Sequence, residues 1–397
     1  MVLAAAPPRG STRVNIADCP GRVLAEEVVA HEDVPGFASS SMDGYALRAA
    51  DVEVAPTGLS VVGSLMAGDD PAGLVVGPGE AVRIMTGAVV PLGADAVCMV
   101  EHTSSDADGR VLVEEAVPRG ANVRHPGEDV TAGSVVFGPG MLLGPAHVGV
   151  LASLGVTDVA VVRPPRVGVV STGDELVEGP GRLGPGKLRD SNRPALLAQL
   201  AADGFEAFDL GRVPDDPAAL AALLSVAATE CDAVLTSGGV SVGDRDIVKA
   251  VLSTMQGAEA RWSQVAVRPA KPFGFCRLPP TGAPLFGLPG NPVSAMVSYE
   301  LFARPALRRM AGHGRLYRTA VPARAPKALP RVPDGRVYLL RATLQATPEG
   351  FEVALIEGQG SHQLRALAHA NCLVVLPDGH GVPAGALVET WVLGPEL

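Results

Sequence analysis

At 397 residues the chain has room for roughly two to four domains with separate cores, and its formal charge of −10 with a pI near 5.3 excludes a nucleic-acid-binding surface, which needs clustered Lys and Arg. The five cysteines (Cys19, Cys98, Cys231, Cys276, Cys372) are scattered and odd in number, which excludes a disulfide framework and zinc spacing and fits a reducing cytoplasm. No apolar run reaches membrane-spanning length, and the opening Met1-Val-Leu-Ala-Ala-Ala-Pro-Pro lacks the basic flank and long apolar core of a signal peptide, so a globular cytoplasmic protein without a membrane segment is expected.

Residues 12–30 carry Ile16-Ala-Asp and Gly21-Arg-Val-Leu-Ala-Glu-Glu-Val-Val, which predict helix broken at Pro20-Gly21. From 31 to 130 the texture changes to short Val-rich runs between Gly, Pro and Asp. Val61-Val-Gly, Ala81-Val-Arg-Ile-Met, Ala96-Val-Cys-Met-Val100 and Val111-Leu-Val predict strands. Pro145 to Leu154 resumes a helical pattern. A β-rich domain over 31–130 is therefore inserted into a small helical N-terminal domain made of 1–30 and 131–162.

From 163 to 314 strands alternate with helices, the signature of a parallel α/β sheet. Val167-Gly-Val-Val170, Ala207-Phe-Asp-Leu, Ala233-Val-Leu and the run from Leu285 predict strands. Between them, Arg193 to Asp203 predicts a helix capped by Ser191 or Asn192 and stopped by Gly204, and Pro217 to Thr229 predicts another. Asn291 is placed to cap a third, with Pro292 in its first turn. Beyond Gly314, Val337-Tyr-Leu-Leu, Phe351-Glu-Val-Ala-Leu-Ile, Cys372-Leu-Val-Val-Leu and Leu387 to Leu393 predict a C-terminal β-barrel over 315–397, with Val321 to Val332 as the junction. The expected fold is multidomain α/β: a three-layer α/β domain, the inserted β-rich domain, the small helical N-terminal domain and the barrel.

Chemistry concentrates at the ends of the α/β strands. Asp232 to Asp246 reads as a buried strand, then glycines and hydroxyls, then Asp244 and Asp246 ahead of an apolar stretch. Glycines there let backbone N–H groups reach an anion, and a carboxylate pair beside a phosphate calls for a hard cation such as Mg²⁺. Ser171-Thr-Gly-Asp-Glu175 and Asp215-Asp216 follow other strands, and open α/β sheets bind ligands at that edge. Asp190-Ser-Asn192 is by itself a capping pattern, and Asp43, Thr86 and Asp129 beside glycines are by themselves turn residues. Lys271, between Pro269-Ala and Pro272, is a rigidly aimed cation. The eight histidines form no zinc-spaced pair, and Cys98 and Cys231 lie in apolar strand contexts.

Seven motifs occur in order: Pro35-Gly-Phe-Ala-Ser-Ser-Ser-Met-Asp-Gly-Tyr-Ala, Arg83-Ile-Met-Thr-Gly-Ala, Gly127-Glu-Asp-Val, Ser171-Thr-Gly-Asp-Glu-Leu, Arg189-Asp-Ser-Asn, Thr236-Ser-Gly-Gly-Val-Ser-Val-Gly and Phe286-Gly-Leu-Pro-Gly-Asn-Pro-Val-Ser-Ala. From about residue 13 to the end, the chain resembles the molybdopterin molybdenumtransferase family, which includes the E domain of gephyrin. The resemblance implies an elongated four-domain homodimer, with each active site between the α/β domain of one subunit and the β-rich domain of the other. It implies insertion of molybdenum from molybdate, the co-substrate, into adenylylated molybdopterin, with Mg²⁺ and release of AMP. A molybdopterin adenylyltransferase upstream and recipient molybdoenzymes downstream are the further partners implied.

On this resemblance Asp43, Thr86, Asp129, Glu175, Asp215 and Asp246 are the catalytic set, with Asp244 and Asp246 on the metal. Substrate contacts fall to Thr172, Asp190, Ser191, Asn192, Ser237, Gly238, Gly239, Ser241, Arg268, Lys271, Pro289, Asn291, Pro292 and Ser361. Two departures stand out: Ala270 where the family usually has Gly before the Lys-Pro pair, and Gln264 and Arg268 at positions that are often Lys. The rival readings are a molybdopterin adenylyltransferase, which would resemble only the α/β section, and a non-catalytic gephyrin-like scaffold, which would be marked by loss of the acidic set.

Overall fold

The computed structural model describes residues 2–239 and 246–394. The stretch expected to be helical at the start is extended. Ser11–Asn15 is a strand antiparallel to Asp158–Val162, with Ser11 opposite Val162 and Asn15 opposite Asp158. The Asn15 side chain then accepts the Ala17 N–H at 3.0 Å and starts the single tight turn Ile16–Asp18. Val28–Val29 pairs with Val135–Phe137, and Val23 and Leu24 bridge to Leu142 and Val161. Exposure alternates along Ser11–Asn15, the period of a strand with one buried face, and β-branched Thr12 and Val14 suit it. Cys19, Leu24, Val28, Leu143, Leu151, Val159 and Val161 form one core, so segments on either side of the β-rich section share it. This unit is a set of two-stranded ribbons around one nine-residue helix, Pro145–Ser153, and not a small helical domain.

In the β-rich section a six-stranded sheet runs in the order Ala96–Met99, Gly44–Leu47, Glu80–Ile84, Thr57–Leu65, Val111–Val113, Thr103–Ser105. Leu47, Leu59 and Val113 pack in one apolar cluster and Leu65, Val82 and Ile84 in another. A Cβ at Gly44 would lie 1.8 Å from the Cys98 carbonyl oxygen, so only glycine fits where the strand after Asp43 enters the sheet.

The α/β unit comprises β1 (Arg166–Thr172), α1 (Asn192–Ala202), β2 (Glu206–Val213), α2 (Pro217–Glu230), β3 (Ala233–Ser237), α3 (Ile247–Thr254), β4 (Glu259–Gln264), β5 (Pro272–Leu278), β6 (Ala283–Leu288) and α4 (Pro292–Ser298). Its sheet order is β2-β1-β3-β6-β5-β4, with β2, β1, β3 and β6 parallel, β5 antiparallel to β6, and β4 antiparallel to β5. β3 and β6 are buried throughout, as expected of strands covered on both faces. Leu196 and Leu200 of α1 and Ala295 of α4 cover one face, while Leu220 and Leu224 of α2 and Val248 and Val251 of α3 cover the other. Each such fully buried leucine contributes roughly 1.5–3 kcal/mol. The expected three layers are present.

The caps differ in detail from expectation. Neither Ser191 nor Asn291 makes a side-chain cap bond; Asp190 instead accepts the Arg193 N–H at 3.2 Å, while Asp216 caps α2 through the Ala218 N–H at 2.9 Å. A carboxylate one residue earlier reaches the free N–H of the first turn as well as a hydroxyl does.

At the C-terminal end Val337–Thr347, Gly350–Leu355, Ala320–Arg324, Leu387–Val392 and Cys372–Leu376 follow one another, and Val337–Thr347 also pairs with Cys372–Leu376, closing a five-stranded barrel. Ala320–Arg324 is thus a barrel strand, although the sequence places a junction there. The two-residue strand Val267–Arg268 leaves the α/β unit and pairs parallel with Val337–Tyr338 of the barrel.

Candidate active site

The sheet order reverses between β1 and β3, so a crevice opens at their carboxyl ends, where open α/β sheets take ligands. Thr172 and Ser237 end these strands and are both buried. Gly238 and Gly239 follow at φ +89° and +67°, and a Cβ would meet the Thr172 carbonyl oxygen at 2.9 Å or Val248 Cγ2 at 2.6 Å. These positions require glycine, and the loop lies tight against β1 and α3. The Gly238 N–H donates to the Leu288 carbonyl at 3.1 Å, tying it to the end of β6.

Asn192 joins three loops. Its Nδ2 donates to Ser237 Oγ at 2.7 Å and to the Gly290 carbonyl at 2.8 Å, which binds the segment before α1 to the ends of β3 and β6. Asp190 is spent on the scaffold: it accepts from Ser171 Oγ at 2.5 Å and from Arg193 Nε at 3.2 Å. Arg193, which the sequence reading passed over, also holds Glu178 and Asp209. Its place directly after Asp190-Ser-Asn was the available signal.

Acidic residues rim the crevice. The Asp215 N–H donates to Asp174 Oδ1 at 3.1 Å and the Asp174 N–H to Asp215 Oδ2 at 3.4 Å, so the loops after β1 and β2 are brought together. Glu175 is exposed next to them. Asp246 caps α3, accepting the Lys249 N–H at 3.2 Å through Oδ1. Its Oδ2 is buried without a partner among the described residues, and burial pushes the carboxyl up to about 6 despite the opposing Lys249 N–H and charge. Ser241 and Asp244 lie outside the described residues.

A second cavity of about 230 Å³ adjoins the crevice through the loop that carries Pro289, Asn291 and Pro292. Arg268, Lys271 and Arg336 line it together with Asn291, Ser294, Gln359 and Ser361, and among the described residues no carboxylate does. The Val265 N–H holds the Lys271 carbonyl at 2.7 Å, and Arg268 donates to the Tyr338 hydroxyl at 3.2 Å. The Ser361 carbonyl accepts the Val293 N–H at 3.0 Å, pinning the barrel to the first turn of α4. Three cations with hydroxyl and amide donors make an anion receptor. Arg336 and Gln359 come from the barrel, where no sequence spacing connects them to Lys271.

Asp43 and Thr86 meet in the β-rich section. One carboxylate oxygen, Asp43 Oδ1, accepts both the Thr86 backbone N–H at 2.7 Å and its hydroxyl at 2.8 Å. The backbone bond, with help from the hydroxyl, holds the Asp43 carboxyl below the usual range. Asp129 is exposed nearby in sequence terms to the Val34–Val130 bridge, its N–H donating to the Val34 carbonyl at 3.0 Å. Among the described residues, Asp43, Thr86 and Asp129 hydrogen-bond only within the β-rich section and not to the crevice of the same chain.

All five cysteines are buried, and burial raises each thiol, Cys276 to about 11 and Cys372 to about 12, so none is poised as a nucleophile.

Residues 1–155 match the family description "MoeA N-terminal region (domain I and II)", residues 168–309 match "Probable molybdopterin binding domain" and residues 322–393 match "MoeA C-terminal region (domain IV)". A Haemophilus influenzae protein named molybdopterin molybdenumtransferase is 37% identical over 383 residues, covering 96% of this chain and 93% of the relative. The Mycobacterium tuberculosis H37Rv protein named molybdopterin molybdenumtransferase 2 is 38% identical over 389 residues, covering 96% and 94%. The solved structure of a molybdopterin biosynthesis MoeA protein from Pyrococcus horikoshii OT3 superposes with a TM-score of 0.85 at 29% identity, covering 98% of this chain and 97% of that one.

Proposed function

Because the chain belongs to the molybdopterin molybdenumtransferase family, whose work is molybdenum insertion in cofactor biosynthesis, we propose that it takes adenylylated molybdopterin and molybdate and yields molybdenum cofactor and AMP. The observation that carries this reading is the pair of adjoining sites: a glycine-lined crevice at the β1/β3 switch point and a cavity that bears Arg268, Lys271 and Arg336 and, among the described residues, no carboxylate. The crevice suits the pterin and pyrophosphate, with Thr172, Ser237, Gly238 and Gly239 at its floor. The cavity suits the oxyanion. They share the Pro289–Pro292 loop, so molybdate is held beside the dithiolene that receives the metal.

Fixed geometry supplies most of the catalysis, since no thiol is available as a nucleophile. Asn192 holds the crevice loops in register, Asp190 and Arg193 brace them from below, and Asp174 with Asp215 fixes the acidic rim. Mg²⁺ fits the donor set: Asp246 offers a buried unpartnered oxygen, Asp244 lies two residues earlier, and phosphate oxygens and waters complete such sites. When bound, the ion would neutralise and polarise the pyrophosphate.

The protein acts as a homodimer in this reading, with Asp43, Thr86 and Asp129 facing the crevice of the partner subunit. What supports it is that Asp43 and Thr86 are tied together and that, among the described residues, neither they nor Asp129 bond to their own crevice.

The test is AMP release from adenylylated molybdopterin at fixed Mg²⁺, with and without molybdate. Molybdate-dependent release is expected. ATP consumption on metal-free molybdopterin, without molybdate dependence, would move the chain to the adenylylation step. For the shared site, a mixed dimer carrying Asp43→Asn in one subunit and Asp246→Asn in the other should keep one working site. No activity in that mixture would overturn the shared arrangement.

A further inference from the structure

Among the described residues only Asn122 and Ala270 have positive φ without being glycine. Asn122, at +55°, lies in the left-handed basin that asparagine tolerates, whereas Ala270, at +93°, lies beyond it. A residue with a Cβ stays in such a conformation only when its surroundings over-determine it, and such outliers collect at binding sites.

Here the surroundings are specific. Ala270 is 1% exposed, and its methyl group packs in one cluster with Val293 and Val297 of α4 and Leu339 and Leu373 of the barrel. Three pieces of the molecule therefore meet in the cluster that holds this methyl group. Arg268, two residues before it, and Lys271, directly after it, both line the cationic cavity. The Lys271 carbonyl is held by Val265, so the backbone is anchored immediately after the strained residue.

We propose that Ala270 is a positioning residue for oxyanion capture, its buried methyl clamping the loop in the backbone state that brings Arg268 and Lys271 to one cavity. The clamp rests on the reading of this cavity as the oxyanion site. Glycine at position 270 adopts the same φ without strain, but it gives up the methyl anchor and frees the loop to leave that state. Serine keeps the Cβ contact but sets a hydroxyl among these apolar side chains.

The experiment is calorimetric titration of the full-length protein with molybdate alone, followed by steady-state turnover. Ala270→Gly should bind molybdate about tenfold more weakly and raise the molybdate KM similarly, with kcat within about twofold, because only the ordering of the cations is lost. Ala270→Ser, which keeps the Cβ, should bind molybdate more tightly than Ala270→Gly even as its buried hydroxyl lowers thermal stability. Equal molybdate affinity in wild type and Ala270→Gly overturns the clamp, whatever happens to thermal stability. A wild-type protein that takes up no molybdate overturns the cavity reading itself, a different failure from that of the clamp.

Discussion

Asp43 and Thr86 are bound through one carboxylate oxygen: Oδ1 takes both the backbone N–H and the hydroxyl of Thr86, leaving Oδ2 without a hydrogen-bond donor among the described residues. Thr86 therefore orients the carboxylate, and its two bonds hold the carboxyl below the usual range. Thr86→Val removes the hydroxyl and retains the backbone bond, so the Asp43 carboxyl should titrate higher by NMR, though still below an unbonded carboxylate. Turnover should fall by about tenfold or more without change in thermal stability, since the pair is exposed. Unchanged turnover would remove Asp43 and Thr86 from the working site.

Asp246 should show stability and activity in opposition. A carboxyl raised to about 6 when folded contributes stability that is complete below its unfolded value near 3.9 and lost as pH rises through about 6. At pH 7–8 the buried charge is a liability. Asp246→Asn keeps an acceptor for the Lys249 N–H and should stabilise the ligand-free protein by about 1–2 kcal/mol there, while abolishing Mg²⁺-dependent AMP release. Thermal melts at pH 4 and pH 8 should show the gain only at pH 8. Wild-type turnover in the variant would sink the role assigned to Asp246.

Asn192 ties β3 to β6 by donating to two oxygens, and those oxygens determine how substitutions rank. Asn192→Ala should cost about 2–4 kcal/mol because the Gly290 carbonyl and Ser237 hydroxyl lose a buried partner. Asn192→Asp should be worse at neutral pH, placing a charged oxygen against the Gly290 carbonyl. Amide hydrogen exchange at Gly238, whose N–H bonds to Leu288, gives the local readout, and the reverse ranking would contradict the assigned donor.

His313 governs part of the acid limb. Burial, reinforced by Arg308 and Arg304, lowers its imidazole to about 4. The unfolded chain takes up this proton near 6.5, so stability is present above that value and is lost as pH falls from about 6.5 towards 4. His313→Gln should flatten this stretch of the stability profile by about 1–3 kcal/mol and leave pH 8 unaffected. An unaltered profile would show that the ring is solvated.

Sequence legibility follows the range of the interactions involved. β1, β3 and β6 were readable because each is a short apolar run ending in glycine or hydroxyl residues, and α2 because Asp216-Pro217 starts it. β4 went unmarked: it is an edge strand with alternating exposure, and Arg261 and Gln264 dilute its apolar signal. The first thirty residues were misread because Val23, Leu24 and Val28 have helical spacing, while their partners, Leu142, Val161 and Phe137, lie more than a hundred residues away. Separation in sequence likewise hid Arg336 and Gln359, which lie far along the chain from Lys271 and reach the cavity from the barrel. Asp190 was visible as a polar motif, but its burial under Ser171 and Arg193 was not.

The pairing of Val267–Arg268 with Val337–Tyr338 makes the barrel more than an appendage. Those two residues belong by chain order to the α/β unit and by hydrogen bonding to the barrel, so they work as a mechanical strap between the two bodies. Arg268 is thereby held by the barrel as well as by the α/β unit, and the Lys271 carbonyl is held by the Val265 N–H just before the strap. Removing residues 315–397 would therefore do more than delete Ser361 and Arg336. It would also cut loose the segment that carries the remaining two cations, leaving a glycine-lined crevice with no fixed neighbour.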